Sequence, residues 1–241
     1  MLRLTGLHSW IGLLSPAVRE RVLARMRSRR LAHGDAAFLL GETPREAFLI
    51  RKGRVRICNH TQTGTEITLV TFHPGDCFGE NSLFDGLPRF NNAYAVGESE
   101  LLVLRKADFE DLYNAEREIA RALTLMLCYR LRVTSGLSED ASALTLKQRL
   151  ARLLVRLAYS FGIAQGSTSI IVAETSHEDL SGMLGATRQG VSKALKELED
   201  AGDVRLSYRR ILINDLERFA RKHNSLIGGE TIVPDYHREP P

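Results

Sequence analysis

The period of hydrophobic and polar positions changes three times along the chain. Residues 15–30 place Val18, Val22, Leu23 and Met26 at helical spacing behind Ser15 and Pro16, which suit a helix start. From about 31 to 106 the apolar runs shorten and are parted by Gly, Pro, Asn or Asp. "AFLIRKGRVRIC" sets Val55 and Ile57 between Arg54 and Arg56, the alternation of a half-buried strand. "EITLVTF" and "SELLVLRK" read as further strands, with "NHTQTGTE" as a hairpin connection. Many short strands with recurrent turn signals predict a sandwich or barrel-like β fold.

From about residue 108 the helical period returns. One stripe runs Ile119, Leu123, Met126, Arg130, Val133, Leu137, and a neighbouring stripe runs Ala120, Thr124, Leu127, Leu131, Thr134, Ser138. Steps alternating between 4 and 3 favour helix-to-helix pairing, so Ile119, Leu123, Met126, Leu127, Leu131 and Val133 are the expected seam of a parallel homodimer. The alternative is a helix lying on its own β domain, which needs only one such face. "LSEDASAL", residues 137–144, reads as a hinge, after which helical patterning resumes. The residues from 224 onward hold glycines and prolines without periodicity, and a loosely attached tail is expected there.

The stretch from 176 carries the clearest chemistry. Ser176 with Asp179 makes a capping-box start, Leu180, Met183 and Leu184 form an apolar face, and Gly185–Ala186 supply a tight turn. Thr187 is the N-cap of a second helix whose Val191, Ala194, Leu195 and Leu198 share one side. Arg188, Gln189, Ser192, Lys193 and Lys196 gather on the other side, all donors. Helix, glycine turn and donor-faced helix form a helix-turn-helix, whose second helix enters the DNA major groove. Arg pairs bidentately with guanine and Gln with adenine, while Lys suits a phosphate. "VRLSYRRILI" then reads as a hairpin wing with Tyr208, Arg209 and Arg210 at its tip. An ordinary helical hairpin with a solvated face explains fewer of these features.

Composition narrows the classes. The chain has 241 residues, 44% hydrophobic and 26% charged, as in an ordinary soluble globular protein. No apolar run approaches the ~18 residues of a membrane span, and the N-terminus lacks a continuous apolar stretch, so a cytoplasmic protein with no membrane partner is expected. Residues 144–223 carry 13 Lys and Arg against 9 Asp and Glu, while the remaining 20 of each sign cancel, a basic bias that suits nucleic acid. Cys58, Cys77 and Cys128 lack metal-cluster or disulfide spacing. A cupin-like metal enzyme would need convergent ligands. His33, His60 and His73 lack that spacing, so no metal site and no catalytic residue are expected.

Between two of the strands lies "FGENSLFDGLPRFNNAYA". A glycine turn before a short helix points backbone N–H groups at an anion. Arg89 can pair with that anion's charge, and Glu80 can accept from a sugar hydroxyl.

Taken in order, "AFLIRKGRVRI", "PGDCFGENSLFDGLPR", "SELLVLRKADF" and "GATRQGVSKALKELEDAG" resemble the CRP/FNR family of bacterial transcription regulators over residues 15 to 220 or so. The resemblance implies an α+β chain: an effector-sensing, cyclic-nucleotide-binding-type β-roll (jelly roll) over residues 1–107, a dimerisation helix and hinge over 108–138, and a winged helix-turn-helix over 139–223. It implies a homodimer on double-stranded DNA, with RNA polymerase as a partner if the protein activates. Ser176, Thr187, Arg188, Gln189, Ser192, Lys193, Lys196 and Arg209 become the DNA-binding set. The opening stretch looks like the family's phosphate-binding cassette, which makes Gly79, Glu80, Asn81, Ser82, Arg89, Phe90 and Asn91 the effector set. Thr134 and Ser135 match a pair that contacts the base in the cyclic-AMP receptor protein. Phe90 departs from the pattern where a small hydroxyl residue is expected; a phenyl ring there removes a donor and can fill the phosphate site. The favoured effector is therefore a small molecule other than cyclic AMP, or none, with cyclic-AMP dependence through an unusual cassette as the alternative.

Overall fold

The computed structural model describes residues 8–64, 66–165, 169–173, 175–208 and 210–224. The chain forms two compact units that divide between residues 128 and 129. In the first, a 3-10 turn precedes α1 (Pro16–Arg25), then come β1 (Arg27–Leu31), β2 (Ala36–Phe38), β3 (Glu46–His60), β4 (Glu66–Phe72), β5 (Cys77–Phe78), α2 (Asn81–Asp85), β6 (Asn92–Arg105), α3 (Lys106–Ala115) and the first part of α4 (Arg117–Ala143), whose residues from 129 belong to the second. The strands pair antiparallel in the order β1-β6-β3-β4, with β2 on β6 and β5 on β3.

The long pair β3 and β6 is the frame, matched from Glu46↔Arg105 to Cys58↔Asn92. Its register shifts around Gly53, where φ is +82° and a Cβ would stand 2.3 Å from Ser99 Oγ. Only glycine meets both demands, and such a bulge bends the sheet into a roll. Successive β3 residues serve two cores because side chains alternate across a strand. Phe48 and Ile50 join Phe38, Val55, Phe72 and Phe78 inside the roll. Ala47 and Leu49 pack outward with Trp10, Val22, Phe109 and Leu112 of the helical layer.

Three sequence expectations change here. The first helix ends at Arg25, and residues 27–30, read as its end, belong to a strand (Arg27–Leu31) that pairs with β6. Ile119, Leu123 and Met126 are buried in the helical layer of their own unit, so they are not a free dimer seam. Of the six seam residues, Leu127 and Leu131 are exposed and Val133 is half-buried. The hinge expected over 137–144 is helical as far as Ala143.

In the second unit α5 (Leu146–Phe161) follows, then β7 (Ile163–Gln165), β8 (Ser169–Ala173), α6 (His177–Leu184), α7 (Arg188–Asp200), β9 (Val204–Ser207), β10 (Arg210–Ile213) and α8 (Leu216–Asn224). The sheet order is β7-β8-β10-β9. Leu150, Leu154, Leu180, Val191, Leu195, Ile211 and Phe219 meet in one core. Asp140, near the end of α4, is buried between Arg152 and Arg156, each 2.7 Å away. Apart from Asn224, the expected tail lies outside the described residues.

Candidate effector cassette and DNA-binding surface

The cassette hangs between β5 and β6. Gly79 has φ +81°, and a Cβ there would sit 3.1 Å from Phe48 and 3.3 Å from Arg89 Nη1, so a side chain would be both strained and crowded. Glu80 is fully buried and Ser82 nearly so, while Asn81 opens α2 half-buried. Arg89 is only 4% exposed. Its guanidinium donates to the Gly79 and Glu46 carbonyls and lies 4.3 Å from the centroid of the Phe38 ring. Burial pushes the Arg89 guanidinium below its ordinary value, and the charges of Glu80, Glu42 and Glu46 oppose that shift. Arg89 Nε and Asn81 Oδ1 are buried without a hydrogen-bond partner among the described residues.

Phe90 is exposed, unlike the buried Glu80, Ser82 and Arg89. Its side chain is 56% exposed, and its carbonyl accepts from Asn59 Nδ2. Asn91 and Asn92 turn inward instead, and Asn92 Oδ1 accepts from the Leu40 N–H. Asn92 thereby ties the cassette's end to the strand region before β3. Thr134 and Ser135 are exposed on the part of α4 that belongs to the second unit, and Thr134 Oγ1 donates to the Arg130 carbonyl.

The helix-turn-helix forms as its residue pattern predicts. Ser176 and Asp179 make a reciprocal capping box, Gly185 ends α6 at φ +57°, and Thr187 Oγ1 accepts from the Gly190 N–H. Val191, Ala194, Leu195 and Leu198 are buried, which leaves Arg188, Gln189 and Lys193 exposed on the opposite side. Four of the expected DNA contacts are already engaged, Thr187 through its cap. Ser176 Oγ serves the cap, Lys196 pairs with Glu199 and Asp200 at 3.0 and 3.3 Å, and Ser192 Oγ lies 2.7 Å from His177 Nδ1. Sequence reasoning passes over His177, Glu199 and Asp200; the i+3 and i+4 spacing from Lys196 signals the two acidic partners. β9 and β10 pair from Ser207↔Arg210, with Tyr208 90% exposed at the wing tip, and Arg209 lies outside the described residues.

Comparison with known proteins agrees with both halves. Residues 28–116 match the cyclic nucleotide-binding domain model, and residues 148–222 match the Crp-like helix-turn-helix domain model. A CRP-like cAMP-activated global transcriptional regulator of Mycobacterium tuberculosis is 31% identical, covering 78% of this chain and 84% of its own. The transcriptional regulator LdrP of Thermus thermophilus is 30% identical over 83% of this chain and 98% of its own. A solved CRP-family transcriptional regulator, also of Thermus thermophilus, superposes with a TM-score of 0.62 at 29% identity, covering 81% of this chain and 96% of that one. With a cyclic-nucleotide-binding domain followed by a Crp-like helix-turn-helix, this chain belongs to the CRP/FNR family of DNA-binding transcription regulators.

Proposed function

We propose that the protein acts in the cytoplasm as a homodimer that reads a two-fold symmetric DNA site under the control of a small effector held at the cassette. The observation that carries the reading is the exposed Arg188–Gln189–Lys193 face of α7, a helix anchored by four buried apolar residues. Arg188 and Gln189 are the base readers and Lys193 a base or phosphate contact. A two-fold dimer places its half-site centres about 34 Å apart. If the protein activates, RNA polymerase is its further partner.

A buried arginine whose Nε has no partner among the described residues, beside a fully buried glutamate, supports an anionic effector carrying hydroxyls. A cyclic nucleotide fits that description. Calorimetric titration of the full-length dimer with cyclic AMP, cyclic GMP and cyclic di-GMP tests this. Saturable binding lost in Arg89→Ala supports the cassette. Absence of binding to all three sinks the cyclic-nucleotide reading and leaves the DNA-binding reading standing.

A further inference from the structure

A polar contact on the open side of the helix-turn-helix links α6 to α7. His177, the first residue of α6, has Nδ1 2.7 Å from Ser192 Oγ in the second turn of α7. The packing beneath it is apolar: Leu180 and Leu184 meet Val191 and Leu195. His177 takes no part in the cap, which Ser176 and Asp179 complete without it. Ser192 follows Arg188 by four residues and Gln189 by three, so it shares the face that reads DNA. Both His177 and Ser192 are half-exposed, within reach of a ligand laid on that face.

A serine hydroxyl has one proton and two acceptor lone pairs. Free to rotate, it can serve any base edge. A hydroxyl that donates its hydrogen bond to Nδ1 offers DNA only lone pairs. It then accepts from the amino group of adenine or cytosine and has nothing to donate to guanine O6, thymine O4 or a phosphate. The same tautomer carries a proton on Nε2 of His177. The first helix of such a motif crosses the DNA backbone, where a donor suits a phosphate.

We propose that His177 is a specificity-determining positioning residue that accepts the Ser192 O–H hydrogen bond at Nδ1 and makes Ser192 an acceptor-only reader of an adenine or cytosine amino group. The proposal rests on α7 entering the major groove.

The test uses full-length protein and duplexes with randomised half-sites, enriched first on the wild type. Base preference is then profiled for Ser192→Ala, His177→Asn, His177→Gln and the double variant His177→Gln/Ser192→Ala. Asparagine places an acceptor near the position of Nδ1, whereas glutamine reaches toward that of Nε2. His177→Asn is expected to keep the wild-type preference. His177→Gln is expected to lose an adenine or cytosine preference at one position per half-site, the position that Ser192→Ala also relaxes. Affinity for the enriched site should fall roughly five- to tenfold in either variant, as for one hydrogen bond, with no further loss in the double variant. Losses that multiply, or a His177→Gln profile that weakens evenly at all positions, overturn the proposal. Arg188→Ala/Gln189→Ala separates the two readings: an unchanged sequence preference in that double variant refutes groove entry by α7 rather than the role of His177.

Discussion

Arg152 Nε donates to Asp140 Oδ1 across 2.7 Å, and both side chains are almost fully buried. Arg156 Nη1 closes on the other carboxylate oxygen at the same distance, and Arg152 Nη1 reaches the His223 carbonyl at 2.9 Å. One carboxylate thus bridges two buried guanidiniums and joins the end of α4 to α5, while Arg152 connects onward to α8. Removing one partner of a buried ion pair strands the other's charge, at a cost of about 3–5 kcal/mol. Asp140→Ala should destabilise the second unit by that amount in urea unfolding. A loss under about 1 kcal/mol would show that the arginines find other partners or water.

This cluster also marks where sequence reading stops. Asp140 lies in "LSEDASAL", polar enough to pass for a hinge, and its partners sit 12 and 16 residues away on another helix. Charge pairing at that range has no local period, whereas the buried stripe of α7, its Thr187 cap and the wing hairpin are local patterns and are legible. The stripes of α4 are legible as apolar. Which stripe the β domain covers depends on β3 and on Trp10, far off in sequence. Phe90 is readable as a departure from the family pattern; its exposure beside the buried Asn91 and Asn92 is not.

Ile119 and Leu131 separate folding from association. Leu131 is 68% exposed, while Ile119 is fully buried in its own unit. Leu131→Glu should leave the monomer folded and shift sedimentation from dimer to monomer. Ile119→Glu should unfold the first unit, because it buries an unpaired charge. A Leu131→Glu protein that remains dimeric places the interface elsewhere.

Phe90→Ser restores the hydroxyl that the family pattern has at this position. With 56% of Phe90 exposed, stability should change by no more than about 0.5 kcal/mol. If the cassette holds a cyclic phosphate, the added donor should tighten cyclic AMP by roughly tenfold in calorimetry, the value of one hydrogen bond to a charged group. Unchanged affinity would mean that position 90 stays outside the site even as serine.

His223 gives the second unit an acid-sensitive side. Both ring nitrogens are buried without hydrogen-bond partners among the described residues, and the ring stands edge-on to Phe219 at 4.7 Å. Burial above all, then the charge of Lys222, with smaller parts from Arg152 and Lys147, holds its imidazole below the ordinary value, against Asp203. The unfolded chain takes up this proton near pH ~6.5, and the folded chain only at lower pH. Between those two values the unfolded state binds the extra proton, so stability is complete above ~6.5 and falls as the pH falls. His223→Phe should flatten that acid limb in melting curves. An unaltered limb assigns it to another group.

Lys193 and Lys196 lie one turn apart on the exposed side of α7, yet Lys196 alone of the two carries its counterions with it. Glu199 and Asp200 bond to its ammonium and hold its proton affinity above the ordinary value. A lysine already neutralised releases fewer counterions when it meets a phosphate. Lys193→Ala should therefore lower DNA affinity and reduce the slope of log affinity against log salt by about 1, while Lys196→Ala leaves the slope nearly unchanged. Glu199→Gln is the converse experiment. It frees part of the Lys196 charge, while the amide oxygen can still accept from the Leu206 N–H on the wing strand. A steeper slope in Glu199→Gln, with Lys196→Ala silent, would identify the acidic pair as a restraint on non-specific DNA binding. Equal slope losses for the two lysines would mean that DNA displaces the acidic partners and that Lys196 contacts a phosphate directly.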